Sequence, residues 1–157
     1  MKFRRLKKQE LESARQEFLA FLAVNGITAE MWEEIKTQEH LAADLIDQFS
    51  EVFFQSYLEK VQYVDVRMKD ELYCFHYQSS MVQLAHLSLQ EELDWEQAHS
   101  LTELSDRLAR GEGTITIQSK NYNPNRELEI FRMLEQGGRV SDGAWFKELV
   151  LAFARQN

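Results

Sequence analysis

A chain of 157 residues is close to the commonest size of a single domain. With 44% hydrophobic and 28% charged residues it is too apolar to be disordered. Its longest apolar run, residues 18–24, is far shorter than the roughly 20 residues a membrane-spanning helix needs. The net charge of −8 is unevenly spread. Five of the 18 bases, Lys2, Arg4, Arg5, Lys7 and Lys8, fall in the first eight residues with no acid among them, so the rest carries 13 bases against 26 acids. An acidic body repels phosphate backbones, and nucleic-acid binding is not expected. Residues 1–8 read as a basic leader, either flexible or paired with the protein's own acids, whose removal should leave the fold intact and alter solubility or self-association. Cys74 is the single cysteine and has no partner for an internal disulfide. No signal-peptide pattern opens the chain, and the expected compartment is the cytoplasm.

Leu11, Ala14, Phe18, Phe21 and Leu22 recur at helical spacing and stop at Asn25-Gly26, which predicts a first helix over 7–24. Thr28 is placed to cap a short second helix, whose early turns carry Glu30, Glu33 and Glu34. Leu41, Leu45, Phe49, Val52, Phe53, Leu58 and Val61 outline a third helix of about five turns. Phe54 and Tyr57 widen its apolar stripe, so more than one of its sides should be covered by the fold or by a partner.

The period then changes. Residues 63–68, 72–77 and 81–89 are rich in β-branched and aromatic side chains and are separated by short polar breaks, as strands of antiparallel hairpins are. The central hairpin is apolar on both faces, with Tyr73, Phe75 and Tyr77 on one and Leu72, Cys74 and His76 on the other. Helical character returns over 91–111, where Ser100 and Glu103 stand in the relation of a capping box. A fourth strand is expected at 114–118 from its strict alternation. Asn123 and Pro124 fit the start of a further helix, which Gly137-Gly138 ends. A last helix, capped by Ser141 or Asp142, carries Trp145, Phe146, Leu149, Val150 and Phe153 on one side, with Val140 set to pack on Trp145 as a hydrophobic staple. The whole reads as one α+β domain over 1–157: N-terminal helices, a small antiparallel sheet of three to four strands, and C-terminal helices.

Metal binding turns on the hairpin register. With a two-residue turn at Ser79-Ser80, Tyr77 faces Val82 and His86 lies on the opposite face from Cys74 and His76; with three turn residues all three groups share a face. Even then Val82 and Leu84 make the setting apolar, and no metal site is expected. A mid-strand cysteine between Tyr73 and Phe75 reads as buried and inert. No nucleophile elbow or phosphate loop is present, so no catalytic residue and no cofactor is assigned. The ligand-binding candidates are Tyr73, Tyr77, Lys120, Tyr122 and Arg126, which place polar donors and aromatics near a helix start.

The opening, Phe3-Arg-Arg-Leu6 leading into Phe18-Leu-Ala-Phe-Leu22 and Ile27-Thr-Ala-Glu30, and the close, Leu134-Glu-Gln-Gly-Gly138 followed by Ser141-Asp-Gly143 and Trp145-Phe146, resemble a family of small uncharacterised bacterial proteins, mostly from Bacteroidetes, with a domain of unknown function. The resemblance implies a bacterial cytoplasmic protein and carries no catalytic or binding residue onto any position. The expected function is that of a non-catalytic interaction protein, partnering itself or another protein, with no membrane association. The alternative is a small ligand-binding domain or enzyme with a pocket between sheet and helices.

Overall fold

The computed structural model describes residues 1–97 and 99–156. It is an α+β protein whose chain forms two compact units, Met1–Glu59 and a second beginning at Lys60.

The first unit is helical: α1 (Lys8–Ser13), α2 (Arg15–Val24), α3 (Ala29–Ile35) and α4 (Glu39–Glu59). The helix expected over 7–24 bends at Ala14, where φ −99° and ψ 23° leave the helical range although the hydrogen bonds Ala14 N–H to Glu10 C=O and Phe18 N–H to Ala14 C=O continue across it. Leu6, Ala14, Phe18, Leu22 and Phe49 share one core. Phe18 is its hub, edge-on to Trp32 at 4.9 Å and tilted on Phe49 at 5.1 Å. Thr28 caps α3 as expected, its hydroxyl accepting from Met31 N–H.

The basic leader is tied to α1 and α4, with Lys2, Arg5, Lys7 and Lys8 exposed. Glu51 of α4 accepts from the backbone N–H groups of Lys2 and Phe3, at 3.1 and 3.0 Å, and Leu6 N–H donates to Ser50 Oγ at 2.9 Å. Arg5 forks onto Asp47 at 2.6 and 3.0 Å, and Arg4 onto Glu10 at 2.8 and 2.9 Å. Phe3 and Leu6 are buried. The segment is a strap along α4 whose Arg4 and Arg5 pair with the protein's own acids, the second of the two arrangements expected for it.

The second unit is built on a five-stranded antiparallel sheet, one strand more than expected: β1 (Tyr63–Arg67), β2 (Glu71–Tyr77), β3 (Met81–Ser88), β4 (Thr114–Asn121) and β5 (Arg139–Ser141), in the order β4-β3-β2-β1-β5. Its helices are α5 (Ser100–Ala109), α6 (Arg126–Glu135) and α7 (Ala144–Gln156). Leu72, Cys74, Ala85, Leu87 and Ile115 from one face of the sheet form a single core with Leu104 and Leu108 of α5 and Trp145, Phe146 and Leu149 of α7. On the other face Tyr73, Phe75, Leu84 and His86 stay half-buried. α6 lies against β1, and the approach is close enough that a Cβ on Gly138 would stand 2.7 Å from Val64 Cγ1.

Two helix starts differ from expectation, and at a third the second of two expected caps serves. Ser100 is buried and its hydroxyl turns back to the carbonyls of Asp94 and Gln97, so it forms no capping box with Glu103. Asn125, two residues beyond the expected Asn123, caps α6 by accepting from Leu128 N–H at 3.0 Å. Ser141 belongs to β5, and Asp142 accepts from Ala144 N–H at the start of α7. Val140 pairs with Val64 across the sheet and is exposed, so the expected staple on Trp145 is absent. Trp145 is buried all the same, against Trp95.

Candidate functional site

The β2–β3 hairpin takes the two-residue turn. Tyr77 pairs with Val82 and Tyr73 with His86, so alternation puts His86 on the opposite face from Cys74 and His76. The three groups cannot meet, and among the described residues no cluster of three His, Cys, Asp or Glu could hold a metal ion. His76 instead stacks on Tyr63 at 4.4 Å with Phe146 edge-on, where burial and nearby Lys147 lower its pKa. His86 stacks on Tyr73 at 4.4 Å, and its Nε2 lies 3.1 Å from Glu71.

Four of the five ligand-binding candidates gather where the hairpin turns, and most of their polar atoms are already used there. Tyr122 stacks on Tyr77, and its hydroxyl sits between the carbonyls of Gln78 and Met81. Arg126 donates from Nε to Gln78 C=O at 3.2 Å and from Nη2 to Tyr77 C=O at 3.2 Å and to Val61 C=O. Carbonyls at a strand end have no ladder partner, and a guanidinium with five donors can satisfy several at once. Lys120 pairs with Glu129 of α6. Tyr73 stands apart from these four, toward the other end of β2, beside Glu71 and His86.

A polar line in the core escaped the sequence reading. Asp65, flanked by Val64 and Val66, is fully buried, and neither carboxylate oxygen completes a hydrogen bond. Its cross-strand partner is Cys74, whose thiol burial drives to a strongly raised pKa, with the Asp65 charge acting the same way. Such a thiol is a poor nucleophile, as a buried mid-strand cysteine should be. Arg67 approaches Asp65 only to 4.0 Å. Burial therefore dominates and raises the Asp65 pKa, although the Ser141 hydroxyl, the Cys74 thiol and Arg67 favour the charged form. A charged residue between two β-branched ones in a strand was the available signal.

The sign of that shift can be tested. A carboxyl whose pKa is raised by folding binds its proton more tightly in the native state, so the native chain loses stability as pH climbs from the ordinary value of 3.8 through the raised one. Asp65→Asn, which cannot ionise, should gain on the natural chain as urea titrations move from about pH 4 to about pH 8. A stability difference that stays flat or reverses would mean that Asp65 ionises without penalty.

In the first unit a groove of about 530 Å³ runs between α1–α2 and α4. Leu6, Ala14, Phe53, Phe54 and Tyr57 line it, with Glu10 and Glu17 at its rim. Tyr57 is 46% exposed; Val52 and Leu41, exposed at 52% and 45%, lie across α4 from this groove. The widened stripe of this helix was legible in its sequence.

A family model matches residues 1–153, from the strap to the last turns of α7. The chain belongs to DUF6495, a family of unknown function. The match spans both the opening and the closing segments on which the resemblance rested. No curated protein and no solved structure matches the chain. Family membership therefore assigns no chemistry to the hairpin turn, the Asp65 line or the α4 groove. No helix among the described residues is long and apolar enough to cross a membrane.

Proposed function

We propose that this member of the family is a non-catalytic interaction protein of the bacterial cytoplasm that self-associates through α4. The observation that carries the reading is the groove lined by Leu6, Phe53, Phe54 and Tyr57, where half-buried rings and the exposed Tyr57 face water along one side of α4. Contiguous apolar surface of this kind marks interaction sites, and a second copy related by a two-fold axis offers the same helix in return. Tyrosine suits such a place because it buries a large ring while keeping its hydroxyl at the wet rim. A lone cysteine held reduced and buried supports the cytoplasmic setting.

Sedimentation equilibrium across a dilution series tests this. The natural chain should dissociate from dimer to monomer as it is diluted, and Tyr57→Asp should weaken the dimer about tenfold or more, since a buried aromatic anchor is replaced by a charge. A chain that is monomeric throughout, or a dimer indifferent to Tyr57→Asp, would overturn the proposal.

A further inference from the structure

Beyond β1 the second unit opens into a cleft of about 600 Å³, walled by Arg67, Lys69, Trp95, Glu96 and Arg139. This is the size of small-molecule sites, roughly 300–1,000 Å³. Two guanidinium groups converge there on one carboxylate: Glu96 Oε1 lies 2.6 Å from Arg139 Nη1 and 3.6 Å from Arg67 Nη1. The two arginines stand on neighbouring strands of the sheet, where β1 pairs with β5. Glu96 belongs to the irregular connection between β3 and α5, and its side chain is 61% exposed.

Arg67 is poorly supplied with acceptors for a guanidinium that is only 20% exposed. Its Nε is buried without a hydrogen-bond partner, its Nη2 is 4.0 Å from Asp65, and the Trp145 ring lies 5.9 Å away across its face. Buried donors in native proteins almost always have partners, so a guanidinium left short of acceptors on a residue that lines an open cleft is where a ligand would be held. Glu96 shows which chemistry fits, because a planar arginine fork matches a carboxylate.

We propose that this cleft binds a small carboxylate-bearing molecule, clamped by Arg67 and Arg139, and that Glu96 is an internal occupant which the ligand displaces. A polyphosphate fits poorly, since Glu92 and Asp94 line the same cleft and would repel a high negative charge. The site lies wholly in the second unit and does not depend on self-association through α4.

Titration of the full chain with succinate, and separately with sulfate, tests it by calorimetry and by the NMR resonances of the arginine Nε–H groups. Succinate should bind saturably and shift the Arg67 resonance. Glu96→Ala should bind it about two- to fivefold more tightly, the scale set by losing one exposed ion pair as competitor. Arg139→Ala, at an exposed edge and so expected to fold, should bind about tenfold or more weakly. The proposal is overturned if the Glu96→Ala chain shows no saturable binding up to about 10 mM succinate. It is equally overturned if binding ignores Arg139→Ala, or if sulfate binds as tightly as succinate.

Discussion

Trp145→Ala is expected to cost about 3–5 kcal/mol of unfolding free energy, the range for removing a buried aromatic ring. Trp145 is 8% exposed, stands edge-on to Trp95 at 5.3 Å, and belongs to the core that joins α5 and α7 to the sheet. Truncation removes the transfer energy of the indole and leaves a cavity that the rigid sheet beneath cannot fill. It also unseats Trp95, whose indole N–H is held by Met68 C=O. Urea titration should show the midpoint falling with little change in slope, because the surface exposed on unfolding is nearly the same. Leu151→Ala, on the same helix but 52% exposed, serves as the control and should change stability by no more than about 0.5 kcal/mol. A loss below about 1 kcal/mol for Trp145→Ala would show that the ring holds no core together and would reopen a binding role for it.

Leu6→Ala is expected to cost about 2–5 kcal/mol, and deletion of residues 1–8 should destabilise the first unit. From sequence the deletion looked harmless. The strap argues for the opposite outcome because Leu6 is 5% exposed within the core of Phe18, Leu22 and Phe49, and because its N–H satisfies a buried serine. Without the strap, Ser50 Oγ keeps its own bond to Ile46 C=O but loses its donor, and α4 loses the cover that Phe3 gives to Phe54. The strap's ion pairs add a pH signature. Arg4 and the Lys7 backbone N–H hold the Glu10 pKa down at about 2, against an ordinary 4.5. A carboxylate lowered in this way stabilises the fold above the unfolded value and loses that contribution as pH falls from about 4.5 through about 2. The pair is more than one-third exposed on the Glu10 side, so solvent screening limits its worth to about 0–1 kcal/mol. Thermal melts of the natural chain and Glu10→Gln should therefore differ slightly near neutral pH and converge near pH 2. A difference that widens toward acid would contradict the assignment.

Local pattern alone determined much of this protein. The change from three-and-four spacing to alternation at residue 63 separates the helical first unit from the sheet, because side chains repeat every 3.6 residues on a helix and every two on a strand. Thr28 at the start of α3 was legible for the same reason, since it acts on atoms within a few residues of itself, whereas the length of the β2–β3 turn stayed open between two and three residues until the strand pairing decided it. The burial of Cys74 and Trp145 followed from their place in apolar runs, although the partner assigned to Trp145 was wrong. Only the tertiary structure decided the rest. β5 is three residues long, too short for any period to show, and exists because β1 offers it a ladder. Asn123, Asn125, Ser100 and Ser141 all have side chains able to cap, and their choice of partner depends on where the neighbouring strands and turns hold the backbone. Asp47 takes the Arg5 guanidinium and Glu51 the backbone N–H groups of Lys2 and Phe3, both acids lying far along α4 in sequence, and these bonds require that helix to be in place. Arg67, Arg139 and Glu96 come from three separate segments, and no spacing in the sequence records that they meet. Short-range hydrogen bonding and periodicity are written along the chain, whereas ion pairs, clefts and edge strands depend on distances that folding alone sets.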